Sequence, residues 1–152
     1  MQKIFDLATK LVGDTLDLSL VYLIAVKPAP KASSESDQSV ILSGYNLPSP
    51  LPVFDSKLHL RALHAAEGGL LYQNPSTAES AEAGLNSVAL ESNPYASAMI
   101  IRVGEEPSEN SGGFLLAGFT SDAKRVIGGE DVSYMKQFSS ELARYTAKLK
   151  LQ

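Results

Sequence analysis

The C-terminal stretch sets the requirement that the rest of the chain must meet. From Asp131 onward, Val132, Met135, Phe138, Leu142, Tyr145 and Leu149 recur at spacings of three, three, four, three and four, the period of one face of an α-helix. A helix with one apolar stripe needs a second apolar layer to lie against. Residues 2–13 repeat the demand: Ile4, Leu7, Ala8, Leu11 and Val12 share a stripe, Lys3, Asp6 and Lys10 fall mostly elsewhere, and Gly13 predicts the stop.

Strands supply the missing layer. Leu18–Val26 is rich in β-branched and aromatic residues and too short to prefer helix, which predicts a strand buried on both faces. Ser39–Ser43 predicts a second strand, antiparallel to the first across KPAPKASSESDQ, whose proline, serine and charge predict a mobile surface loop. Three prolines between Asn46 and Pro52 predict irregular chain. Asp55–Ser56 then caps a helix and Gly68–Gly69 stops it. Gly69–Gln73 reads as a third strand, and Ser76–Glu79 has capping-box spacing for a short helix to about Gly84. Asn93–Pro94 ends whatever follows that helix. Ser97–Val103 and Gly112–Thr120 form a hairpin across the polar loop GEEPSENS. No internal repeat is present. The order is helix, two strands, helix, strand, short helix, two strands, long helix, which indicates an α+β domain with a single antiparallel sheet flanked by helices.

Composition narrows the function classes. A chain of 152 residues fits one domain, 1–152, and buries roughly 70% of its unfolded surface. Net charge is −4, and Lys124–Arg125 and Lys148–Lys150 are the only dense basic spots, too sparse to track phosphates, so no nucleic-acid partner is expected. The absence of cysteine removes disulfides, thiolate nucleophiles and thiolate metal sites. Charges interrupt the N-terminus, which lacks the form of a signal peptide. The longest apolar run there, Leu18–Val26, is far below the ~20 residues of a membrane span. A soluble cytoplasmic protein with no membrane partner is the expectation, without excluding the nucleus. Catalysis is not expected either. No serine sits in a nucleophile elbow and no glycine-rich loop has phosphate-cradling spacing. GGED, residues 128–131, shares three letters with a cyclase tetrad but precedes a long helix, where Asp131 serves the positive helix end.

The helix at residues 57–66 is amphipathic. Placed at ~100° per residue, Leu58, Ala62, Leu63, Ala65 and Ala66 fall in one arc, and Lys57, Arg61, His64 and Glu67 fill the opposite one. Leu60 and His59 break the partition. His59 is the polar group aimed inward: it binds a ligand beside Leu63, or its ring packs on Leu63 while one nitrogen meets a backbone carbonyl or water. One inward histidine makes no metal site. Tyr72 and Asn74, at the polar exit of the third strand, are candidate ligand contacts, although Asn74–Pro75 also suits a turn. Arg102 shares a strand face with Ala98 and Ile100 and is a candidate anion clamp, against the alternative of an edge position reaching solvent.

Four stretches together resemble a GAF domain, a small-molecule-sensing relative of PAS: LDLSLVYLIAV, GGLLYQNP, SAMIIRV followed by GGFLLAGFTSD, and EDVSYMKQFSSELARYTAKL. PAS-like and longin- or roadblock-like modules are the alternatives. The resemblance spans essentially the whole chain, and its motifs are hydrophobic patterns, with Gly118 where such domains often keep a small residue. It implies a cupped six-stranded sheet with the terminal helices together on one face. It also implies a pocket under the central helices on the other face, and often a homodimer through the terminal helices. Leu7, Leu11, Phe138, Leu142 and Tyr145 are the interface residues that follow, and His59, Leu63, Tyr72, Asn74 and Arg102 the ligand contacts. The cyclic-nucleotide signature of the family is not recognisable, a bilin-attaching cysteine is impossible, and no cofactor is named. The reading is a regulatory sensor, excised from a larger signalling protein, that binds an unidentified small molecule or relays a signal through its terminal helices. The rival is a ligand-free interaction module whose pocket is plugged by Leu58, Leu63, Leu70 and Leu85.

Overall fold

The computed structural model describes residues 2–29, 38–47, 56–65, 67–73, 86–87, 97–107, 111–122 and 127–146, with backbone alone for 56–58, 72–73 and 86–87. The elements run α1 (Gln2–Thr15), β1 (Leu20–Lys27), β2 (Gln38–Tyr45), α2 (Ser56–Leu63), β3 (Gly69–Gln73), β4 (Asn86–Ser87), β5 (Ser97–Val103), β6 (Gly113–Thr120) and α3 (Gly129–Thr146). Asn74, most of the loop 27–38, the prolines at 48–52, the short helix expected from Ser76 and the Asn93–Pro94 stop lie outside the described residues.

One sheet carries the strands in the order β2-β1-β6-β5-β3-β4. Five strands pair antiparallel, as the hydrophobic pattern requires. The sixth, β4, contributes two residues that pair parallel with Leu70 and Leu71 of β3 at the sheet edge. A two-residue strand has no periodicity to read, which is why the sequence did not announce it.

β1, β6 and β5 lie inside the sheet and are covered on both faces, hence their unbroken apolar runs. Val21, Leu23 and Ala25 of β1, Met99 and Ile101 of β5, and Phe114 and Leu116 of β6 face one layer, with Phe5, Ala8 and Val12 of α1 and Val132, Met135 and Leu142 of α3. Tyr22 and Ile24, Ala98 and Ile100, and Leu115 and Ala117 face the other, with Ala62, Leu63 and Ala65 at the C-terminal end of α2. The period-two alternation of side chains thus divides one sheet between two helix layers. Each fully buried residue of Leu or Met size contributes about 1.5–3 kcal/mol to holding its layer, and Leu116 and Met135 are fully buried on the α1–α3 side.

Helix ends differ from expectation in two places. α1 continues through Gly13 to Thr15. It closes in a Schellman turn, with the Leu18 amide donating to the Gly13 carbonyl at 3.0 Å and Asp17 in the left-handed conformation at φ 53°. Gly13 is a packing position: a Cβ there would fall on the Tyr45 ring, within 2.9 Å of Cγ. α2 ends at Leu63, before the predicted boundary, and the chain turns through Gly68 at φ 88° into β3. At the start of α3, Asp131 Oδ2 accepts from the Gly128 amide at 3.0 Å, which caps the helix with charge of the favourable sign.

Candidate functional site

The inward placement of His59 follows from α2 lying over β1 and β6. Its side chain is 2% exposed, and Nε2 is hydrogen-bonded to the Tyr22 hydroxyl at 2.7 Å. Tyr22 in turn stacks on Phe119, ring centroids 5.6 Å apart and planes 24° from parallel. The three rings form a buried aromatic array across β1, β6 and α2, with one polar link inside it. Such a link rigidifies a core when both members are satisfied and costs 1–3 kcal/mol when one is removed. Leu63, 1% exposed, belongs to the same layer. The backbone of Tyr72 lies in β3 opposite Ala98.

Arg102 does something else. β5 is an interior strand, so the expected edge position does not exist. The guanidinium instead folds under the carboxyl end of α2, where Nη1 donates to the carbonyls of Leu63 at 3.1 Å and Ala65 at 2.9 Å and Nε to Gly104 at 3.3 Å. A cation there satisfies terminal carbonyls and complements the negative end of the helix. His64 keeps to the solvated arc and faces Glu106, Nδ1 to Oε1 3.6 Å. The structure therefore gathers His59 and Leu63 in one layer and sets Arg102 at the C-terminal end of the same helix. The partners Tyr22 and Phe119 were missed because their strands, β1 and β6, read simply as buried, and only register brings them beneath α2.

On the opposite face, α1 and α3 enclose an open groove of about 220 Å³. Leu142, 3% exposed, forms its floor, while Ile4, Leu7, Leu11 and Tyr145 stand 37, 68, 51 and 36% exposed along its walls. Phe138 packs partly against the core and stacks on Tyr134 at 6.0 Å. Among the described residues no cluster of three or more histidine or acidic side chains could hold a metal ion, and no helix is long and apolar enough to cross a membrane.

No protein-family model and no curated protein matches the sequence. Solved structures do match its fold. The chromophore-binding domain of a bacteriophytochrome from R. palustris superposes with a TM-score of 0.61 at 13% identity, over 96% of this chain and 55% of that one. A red/green cyanobacteriochrome in its green-light-absorbing state gives 0.59 at 14% identity, over 99% and 98%. The GAF domain from Acinetobacter phosphoenolpyruvate-protein phosphotransferase gives 0.59 at 10% identity, over 99% and 87%. The fold is that of a GAF domain.

Within this GAF-like fold, the terminal helices share one face of the sheet and α2 takes the other, as the sequence resemblance implied. Gly118 faces the layer of the terminal helices: a Cβ there would lie 2.6 Å from Leu18 Cδ1, in the segment between α1 and β1, and 3.8 Å from Met135 Cε of α3. A small residue at that point leaves room for the Leu18 side chain against β6. The chain spans about half of the bacteriophytochrome domain and nearly all of the cyanobacteriochrome.

Proposed function

We propose that this GAF domain is a regulatory sensor module that relays a signal through α1 and α3, which pair with a second copy of the chain. The supporting observation is the apolar groove between those helices. Ile4, Leu7 and Leu11 are spaced three and four apart, and Phe138 and Tyr145 seven apart, the seam spacing of packed helices. Burying Leu7 and Leu11 from their present exposure would contribute about 1–2 kcal/mol each per copy. Charge suits a two-fold arrangement: Lys3 and Lys10 flank Leu7, and Glu141 lines the α3 wall, so each copy offers bases to the other's acid. Sedimentation of the wild type should report a dimer, and Leu7→Asp or Leu11→Asp a monomer with unchanged circular dichroism. A wild type that stays monomeric at high micromolar concentration refutes the pairing.

In this reading the small molecule binds on the α2 face, near His59 and Leu63, and shifts the population of sheet–helix arrangements. Thermal melts against a metabolite panel test it, because a ligand that binds only the native state raises the melting temperature. A second reading is favoured by the satisfied His59–Tyr22 pair: the α2 face is filled by its own side chains, and the domain serves pairing alone. A flat panel combined with a Leu7-dependent dimer selects that version.

A further inference from the structure

Where β5 ends, the sheet leaves a hollow of about 420 Å³ between the turn after α2 and the outer side of α3, within the size range of small-molecule sites. Four charged residues line it: Arg102 and Lys136, Glu67 and Glu105. Their formal charges, two positive and two negative, sum to zero. None of the four forms an ion pair among the described residues.

Arg102 is the best placed of them. Its Nε and Nη1 are held by the carbonyls of Gly104, Leu63 and Ala65. Nη2, with two N–H donors, has no acceptor among the described residues. The guanidinium is thus fixed in orientation by its other nitrogens while retaining donors for a carboxylate. Lys136 approaches from α3, its Cε 3.8 Å from where a Cβ on Gly68 would stand. Gly68 and Gly104, at φ 88° and 90°, turn the backbone along the wall with no side chain to fill it.

We propose that this hollow is a binding site for a small zwitterion, an α-amino acid being the simplest class. Its carboxylate is held by Arg102 and Lys136, and its ammonium by Glu67 and Glu105. A simple anion would meet both bases but also two carboxylates, and a simple cation the reverse. Only a ligand carrying both charges finds each matched. Because Arg102 is tied to the carbonyls of α2 while Lys136 and Ser140 belong to α3, the occupied site links the two helix layers around the end of the sheet. It is separate from the His59 layer and does not depend on pairing of the terminal helices.

Amide chemical shifts of the full chain, titrated in turn with the twenty common L-amino acids, inorganic phosphate and succinate, test the proposal. At least one amino acid should give saturable shifts at Gly68, Gly104 and Ser140. Its affinity should fall by about tenfold or more in both Lys136→Gln and Glu105→Gln, as for the loss of one charge-assisted contact. Neither substitution touches the carbonyls that Arg102 caps, so each keeps α2 in place. Three results overturn it: no saturable shift from any amino acid, saturation by phosphate or succinate but not by amino acids, or binding indifferent to both substitutions.

Discussion

Replacing Gly13 by alanine separates two opposed effects whose sizes can be compared. In an exposed helix interior the change adds about 1 kcal/mol of stability, because alanine loses less backbone freedom on folding. In α1 the new methyl lands on the Tyr45 ring, on Cδ1 and Cε1 and within 2.9 Å of Cγ. The ring cannot retreat freely, since its hydroxyl donates to Asp14 Oδ1 at 3.1 Å and its body packs against the core beneath α1. Overpacking of this kind costs about 1–3 kcal/mol, and displacing the ring also loosens the hydrogen bond. The clash wins, and Gly13→Ala is expected to destabilise by about 1–2 kcal/mol in urea unfolding with unchanged m-value. In a Tyr45→Ala background the methyl has room, the helical term remains, and the same substitution should stabilise by up to about 1 kcal/mol. Such a double-mutant cycle isolates the contact. A stabilising effect of Gly13→Ala in the wild-type background would refute the argument.

Three further outcomes follow from the same geometry. Ser139, 1% exposed on α3, has a hydroxyl without a hydrogen-bond partner among the described residues; Ser139→Ala should raise stability by about 1 kcal/mol, read by thermal unfolding. Asp17 holds the left-handed position that ends α1, so Asp17→Gly should stabilise by up to about 1 kcal/mol in the same assay, and a loss would show that the Asp17 side chain contributes there. The hydrogen bond from Ser43, then that from Gln2, holds the Asp6 carboxyl below the usual aspartate range. A depressed value stabilises the fold above the unfolded-state pKa, and that contribution is lost as pH falls through the folded one. The gap in melting temperature between wild type and Ser43→Ala should therefore be full at neutral pH and narrow below about pH 4; a gap constant from pH 7 to 3 contradicts this.

The strands were legible because strand length and burial are written locally. Gly69–Gln73 and Ser97–Val103 have the predicted boundaries, since each is an apolar run closed by glycine or polar residues. The inward aim of His59 was equally legible, because helical phase is a property of consecutive residues. Its partner was not. Tyr22 lies 37 residues away, and only the crossing of α2 over β1 joins them.

Arg102 and Gly13 show the same divide from the other side. The strand face of Arg102 could be read from alternation with Ala98 and Ile100, but its role depended on β5 being interior and on α2 ending above it. Gly13 looks like a helix stop to any local rule; it lies inside α1 as a spacer, because the Tyr45 ring of β2 occupies the space a side chain would need. The amino-acid order alone determined the three main helices and five of the strands, their apolar faces and hence a sheet between helix layers, because propensity and periodicity act over a few residues. The tertiary structure alone decided which polar groups meet, where hollows open and which small residues are spacers, because those follow from contacts between segments far apart in the chain.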